Sequence, residues 1–292
     1  MSLNIFLQNL INGISLGCLF ALIAIGYTMV YGVLRLINFA HGDVFMMAAF
    51  FVYYSIIIFS LPWGIACLVA VVLAMVLGRT IERVAYRPLR NAPRISSLCS
   101  AIGMAFLLEN FAIVVFGGRP KPFFRPEIFA KTYIFGGVRI PGVNFVTPIV
   151  SIVFLLILTY IVYKTKTGLA MRAISKDFDT AKLMGISLDR TISLTFIIGS
   201  GLAAIGAVLW ALRYPQIWPF MGVFPGWRAF TAAIIGGIGS IRGAMVGGFL
   251  VGLLTIMIVA FLPELAGFKD AFIFIILIFV LLFKPEGLFG EE

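Results

Sequence analysis

The chain has 292 residues, 62% of them apolar and only 12% charged, so its polar groups are too few to cover a water-soluble globule. The net charge of +10 would fit a nucleic-acid partner if it formed one patch, but the basic residues stand in short clusters between apolar runs and read as topology signals. Composition thus excludes a soluble domain and nucleic acid, and leaves an integral membrane protein surrounded by lipid.

Apolar stretches near or above the roughly 20 residues that a helix needs to cross a bilayer recur along the whole length, without the alternation of a barrel strand. They predict an all-α fold: one polytopic helical bundle over residues 1–292, with about eight or nine transmembrane helices. The first run, Leu3 to Val30, carries Gly13, Gly17 and Gly26, small residues suited to close helix approach. No basic region or small-residue cleavage site precedes Ile5, so this span is expected to be retained. A break is expected at Tyr31-Gly32, then the polar segment Val33 to Asp43, then spans over Val44 to Leu61 and Trp63 to Leu77.

Arg79 to Arg94 holds five arginines against one glutamate, which the positive-inside rule places in the cytoplasm. Ile95 to Phe116 then crosses outward, Gly117 to Asn144 forms an external loop, and Phe145 to Tyr163 returns to the cytoplasmic segment Lys164 to Arg190. The external loop carries Arg119, Lys121, Arg125, Lys131 and Arg139 against Glu127 alone, as basic as the inner loops. The frame is nevertheless kept, because two spans must separate Arg94 from Lys164. Thr191 to Leu212 crosses outward once more, and Arg213 to Arg228 suits the interface with its Trp, Tyr and Pro. Ala229 to Ser240 is too short to span and ends in Gly236, Gly237 and Gly239, which predicts a broken or re-entrant helix and makes these glycines candidates for the path or a hinge. Ala244 to Leu262 and Ala271 to Phe283 close the bundle, and Lys284 favours a cytoplasmic tail.

Two Gly-interrupted segments stand in opposite halves, Ile37 to Gly42 and Ile238 to Gly243, and such pairs point to a transport path. Asn38, His41, Gly42 and Asp43 read either as a solvated headgroup loop or as the lining or hinge of that path; Arg35 belongs to the same cluster. Glu109 with Asn110, inside a span, either reaches external water or lines the path. Cys18, Cys67 and Cys99 lie within apolar runs at no ligand or disulfide spacing, so no metal is expected.

No phosphate-binding loop, HExxH, CxxC or GxSxG motif is present, and carboxylates are not spread over several spans as an ion-coupled carrier would need. The chain is therefore not expected to be an enzyme, nor to hydrolyse ATP, and any uphill transport must draw on a partner. Within Lys164 to Arg190, Ala170, Ile174, Phe178, Ala181 and Met184 recur at steps of three and four, giving a short helix with one apolar face. Ser175 or Asp177 can cap it, and Gly185 can end it. Such a helix either rests on headgroups or docks on a partner.

With these residues laid out, the chain resembles the permease subunits of branched-chain amino acid ABC importers, the LivH kind. The resemblance is carried by Ala21 to Asp43, Ile81 to Leu89, Ser100 to Asn110, Leu183 to Thr195 and Ala229 to Gly248, and above all by INFAHG and AAIIGGIGSIRGA. It covers nearly the whole chain apart from Gly117 to Asn144. It implies a bacterial inner-membrane permease, a second permease subunit, two ATPase subunits that bind ATP and magnesium, and a periplasmic solute-binding protein. This chain would carry no cofactor. It also implies leucine, isoleucine or valine as substrate, although similar permeases serve urea, short amides and other amino acids. The importer signature Glu-Ala-Ala, three residues, Gly is matched loosely by Asp179-Thr180-Ala181 and Gly185, which marks Ser175, Phe178, Asp179, Ala181, Met184 and Gly185 as the expected ATPase-coupling helix.

Overall fold

The structure is a computed structural model that describes residues 3–90 and 92–290; Asn91, inside the basic stretch, lies outside them. The described residues form an all-α bundle. Its helices are α1 (Leu3–Leu34), α2 (His41–Ile57), α3 (Trp63–Ile81), α4 (Arg94–Phe116), the short α5 (Glu127–Ala130), α6 (Gly142–Lys164), α7 (Lys166–Lys176), α8 (Phe178–Leu183), α9 (Leu188–Arg213), α10 (Val223–Gly236), α11 (Ile241–Phe261) and α12 (Lys269–Phe283). Four short strands, β1 (Lys121–Pro122), β2 (Thr132–Phe135), β3 (Val138–Pro141) and β4 (Gln216–Ile217), pair as β1 with β4 and β2 with β3 at one end of the bundle.

Because α1 is apolar all round and carries no charge, it has no face to offer water, and it forms the central post. Its small residues set how closely α11 approaches. A Cβ on Gly248 or Gly252 would overlap the backbone of Ala21 or Gly17, so these glycines allow direct backbone contact. On α3, Ala66, Ala70, Ala74 and Gly78 recur every fourth residue and are buried, with Gly78 against Ser200 of α9, while Leu68, Val72 and Val76 face outward as a lipid surface. The expected role of the glycines in α1 is thus observed.

Three boundaries differ from expectation. α1 runs straight through Tyr31-Gly32, and the break falls at residues 35–40, where Arg35 takes a left-handed φ of 53°. Gly32 stays helical and lies against the backbone of Gly239, in the turn before α11. α2 begins at His41, so Gly42 and Asp43 are helical first-turn residues rather than loop. α3 continues beyond Leu77, through a π-helical turn at Glu82–Tyr86 and a 3-10 turn at Arg87–Leu89, so most of the supposed loop is helix.

Among the described residues, seven helical segments are long and apolar enough to cross a bilayer, and α2 is a shorter apolar helix. α10 has 14 residues, about 21 Å at 1.5 Å per residue against a core of about 30 Å, so it reaches only part of the way, as the sequence predicts for this region. Arg87 and Arg90 meet Asp189, which puts the two inner basic segments at the same end. Leu288 and Phe289 also bond to Ile235 and Gly236 there, 2.9 Å each, so the tail lies on that side as expected.

Candidate functional site

Two helices start at the same place in the interior. The chain leaves the carboxyl end of α1 and turns back through residues 35–40 to open α2 at His41, whose ring packs on Gly26 and Tyr27 with a centroid separation of 4.4 Å from the latter. Gly26 lies eight residues before the end of α1, about 12 Å along it, so α2 begins well inside the bundle. From the opposite end, the segment after β4 dips inward and opens α10 at Val223. The two openings touch at Gly42, Gly222 and Gly226, where a Cβ on Gly42 would stand 2.8 Å from the Gly222 carbonyl oxygen. Only glycine permits that contact. The amino ends of both helices, each carrying partial positive charge, therefore converge on one region.

A cavity of about 470 Å³ opens beside this junction, between α1, α2, α4 and α10. One wall is aromatic: Phe39 stands 6.0 Å from Trp227 and 6.2 Å from Phe230, and Tyr27 6.0 Å from Phe230, centroid to centroid. Ile37, Ile102 and Phe106 add aliphatic and aromatic surface. The other feature is acidic. Asp43, 4% exposed, and Glu109, half-buried, both line the cavity. Asp43 sits in the first turn of α2, where the helix dipole favours an anion, which explains how a carboxylate is tolerated at this depth.

The sequence-nominated residues separate into three groups. Gly42, Asp43 and Glu109 come together at the cavity. Asn38 and His41 are next to it but face elsewhere: Asn38 Oδ1 accepts from the Tyr86 hydroxyl at 3.1 Å, which pins the returning loop to the π-turn after α3, and His41 packs behind the junction. Asn110 and the 236–239 glycines are outside it. Asn110 points away from Glu109 and donates to the Phe106 carbonyl at 2.8 Å. Gly236 packs on Gly243, and Gly237 and Gly239, with φ of 109° and 101°, make the turn from α10 to α11 at the end of the bundle where α1 finishes. In space, the Ile37–Gly42 interruption meets the Gly222–Gly226 segment rather than Ile238–Gly243. The pairing signal is spatial, since GVFPG and INFAHG share little in sequence.

The segment Lys164 to Arg190 also departs from one continuous helix. Asp177 breaks it into α7 and α8, accepting from the amides of Asp179 at 2.9 Å and Thr180 at 3.3 Å and from the Thr180 hydroxyl. These hydrogen bonds, the Thr180 hydroxyl first, hold the Asp177 carboxyl below its ordinary value of 3.8. Ser175 belongs to the last turn of α7, its hydroxyl donating to the Arg172 carbonyl at 2.8 Å, so Asp177 rather than Ser175 is the cap. Gly185, φ 80°, closes the segment as expected, with the Ile186 amide on the Ala181 carbonyl. The apolar stripe is largely spent on the chain itself: Ile174 and Ala181 are buried and Phe178 half-buried. Met184 and its neighbour Leu183 are 78% and 87% exposed, beside Asp179 and Thr180 on the surface.

A polar cluster joins this segment to the bundle, and sequence reading did not find it. Glu82, fully buried in the π-turn, accepts from Ser193 of α9 at 2.6 Å and pairs with Arg90, which with Arg87 holds Asp189 in the first turn of α9. Arg228 of α10 likewise clamps Asp270 of α12 through two bonds of 2.7 and 2.9 Å. Neither pair has a local sequence spacing that would reveal it.

The family described as the permease component of the branched-chain amino acid transport system matches residues 9–281. The chain is 41% identical to the high-affinity branched-chain amino acid transport system permease protein LivH of Escherichia coli (strain K12), over 98% of this chain and 96% of that one. It is 39% identical to the corresponding permease protein BraD of Pseudomonas aeruginosa, over 98% and 96%. A probable branched-chain amino acid transport permease protein LivH of Methanocaldococcus jannaschii is 27% identical over 94% and 89%.

Proposed function

The chain belongs to the branched-chain amino acid transport permease family, and from that membership we propose that it is a membrane subunit of an ATP-driven importer of leucine, isoleucine and valine in a bacterial inner membrane. A second permease subunit, this one or a relative, completes the passage; two ATPase subunits bind ATP and magnesium, and a periplasmic solute-binding protein delivers the substrate.

The observation that carries this reading is the cavity where α2 and α10 begin. It is reached through a gap between helices rather than sealed within one, and its aromatic and aliphatic wall suits a branched hydrocarbon side chain. Urea or a short amide would leave that wall without apolar contact, so the wall favours the branched substrate over those alternatives.

The chain performs no bond chemistry in this scheme; it changes which side the cavity faces. Motor force enters at α8, where Leu183 and Met184 are free to dock while Asp177 and Gly185 fix the ends of the helix. It passes into the first turn of α9, and the Asp189–Arg90–Glu82 cluster ties that turn to the α3–α4 elbow. α4 carries Glu109, so movement of the elbow reaches the cavity wall. ATP binding shifts the equilibrium only if α8 contacts differ between the two motor states.

Uptake by the assembled complex tests the substrate assignment. Radiolabelled leucine, isoleucine and valine should enter and compete with one another, whereas urea and acetamide should do neither; uptake of urea in place of leucine would contradict it.

A further inference from the structure

Asp43 is a carboxylate inside the bundle with the amino end of α2 to favour its charge but no side-chain partner among the described residues. It is 4% exposed, borders the cavity, and receives no hydrogen bond from any side chain among the described residues. Glu109 borders the same cavity from α4. The other buried or half-buried carboxylates and guanidinium groups described above have partners: Glu82 has Arg90 and Ser193, and Asp270 has Arg228. Among the described residues, the elements packed around the cavity bring no cation to it. Its lining contains two acids and neither lysine nor arginine, and Arg228, one residue beyond the lining Trp227, is committed to Asp270.

Two carboxylates facing an otherwise apolar space in a membrane protein are costly unless a positive group arrives between them. We propose that the cavity is a substrate site in which Asp43 and Glu109 receive the α-ammonium of the amino acid, with its branched side chain against Phe39, Trp227 and Phe230. The pair then rejects aliphatic compounds that lack an ammonium, so this subunit contributes selectivity of its own. The proposal rests on the importer reading above. It adds the group recognised and the residues that recognise it.

The test uses the complete complex, with its ATPases, second permease and binding protein, in proteoliposomes. Asp43→Asn and Glu109→Gln keep the size of each side chain and remove its charge; Glu109 is half-buried on a lipid-bordering helix, so its variant does not challenge folding. Loss of one charge-assisted contact predicts a fall in leucine uptake of roughly tenfold or more for either variant, with ATP turnover stimulated by loaded binding protein kept within about twofold. Asp43→Glu should recover part of the uptake. A second readout omits the binding protein: saturation-transfer NMR of the complex should show 3-methylbutylamine in the wild type, lose it in both variants, and show 4-methylpentanoate in none.

Uptake unchanged in both variants, or equal signals from the amine and the acid, would overturn the site. So would loss of the second permease subunit from either variant on purification, since the carboxylates would then be serving a cation of that subunit. Failure of the wild-type complex to accumulate leucine would instead overturn the importer reading, while the NMR comparison would still decide whether the cavity selects an ammonium.

Discussion

Gly42 of α2 and Gly222 at the head of α10 stand backbone against backbone, so that a Cβ on Gly222 would overlap the Gly42 carbonyl oxygen. This one contact brings two helix openings together in the interior and creates the wall of the cavity. Replacing Gly222 with Val should separate the helices at a cost of about 3 kcal/mol. Thermal unfolding and leucine uptake should both fall, whereas Ala at Gly64, which has open space around it, should change neither. Wild-type uptake in the Gly222 variant would show that the junction is not needed.

Docking on the ATPase is expected at Leu183 and Met184, the exposed end of α8, and not at Ala181, which is buried in the chain itself. Leu183→Asp with Met184→Asp should leave the bundle intact but reduce coupling, measured as leucine moved per ATP hydrolysed, at least tenfold. Ala181→Asp should instead lower the yield of folded protein, because it buries an unpaired charge. Full coupling in the double variant would place the contact elsewhere.

The Glu82 cluster should transmit as well as stabilise. Glu82→Gln leaves Arg90 with Asp189 alone and should cost about 3 kcal/mol, the lower part of the range for breaking a buried pair. If the cluster carries motion from α9 to the α3–α4 elbow, uptake falls further than ATP turnover. Equal losses would reduce it to a structural tie.

The cap of α8 depends on pH with a definite sign. Its hydrogen bonds hold the Asp177 carboxyl below the ordinary 3.8, so the stabilisation is fully present above that value and is lost as pH falls through the lower, folded-state value. Protection of the Asp179 and Thr180 amides, taken as exchange relative to the intrinsic rate at each pH, should fall on acidification in the wild type. Asp177→Asn keeps a capping oxygen and should remove this dependence; an unchanged acid response would assign it to another group.

Much of this architecture is legible in the sequence because long apolar runs leave few alternatives in a bilayer. The glycines of α1, the incomplete helix around Ala229 and the common side of both basic segments follow from composition and local signals. Where α1 ends does not, because Tyr31-Gly32 looks like a break until the Gly239 turn is placed beside it. The acids Asp43 and Glu109 were individually visible as path candidates, but their meeting depends on α2 starting deep in the fold. The aromatic wall was invisible for a different reason: Phe39, Trp227 and Phe230 look like any other aromatic residues in a membrane chain. Glu82 and Arg90 are eight residues apart across a π-turn, a spacing that no regular helix would bring together.

The most direct test of the account compares leucine accumulation in proteoliposomes holding the complete complex with accumulation in those holding this chain alone. The complete complex should concentrate leucine when supplied with ATP, even with a protonophore and no sodium gradient, and the lone chain should concentrate none under any gradient. Sustained accumulation by the lone chain, driven by protons or sodium, would contradict the claim that this subunit is a passage worked by a separate motor.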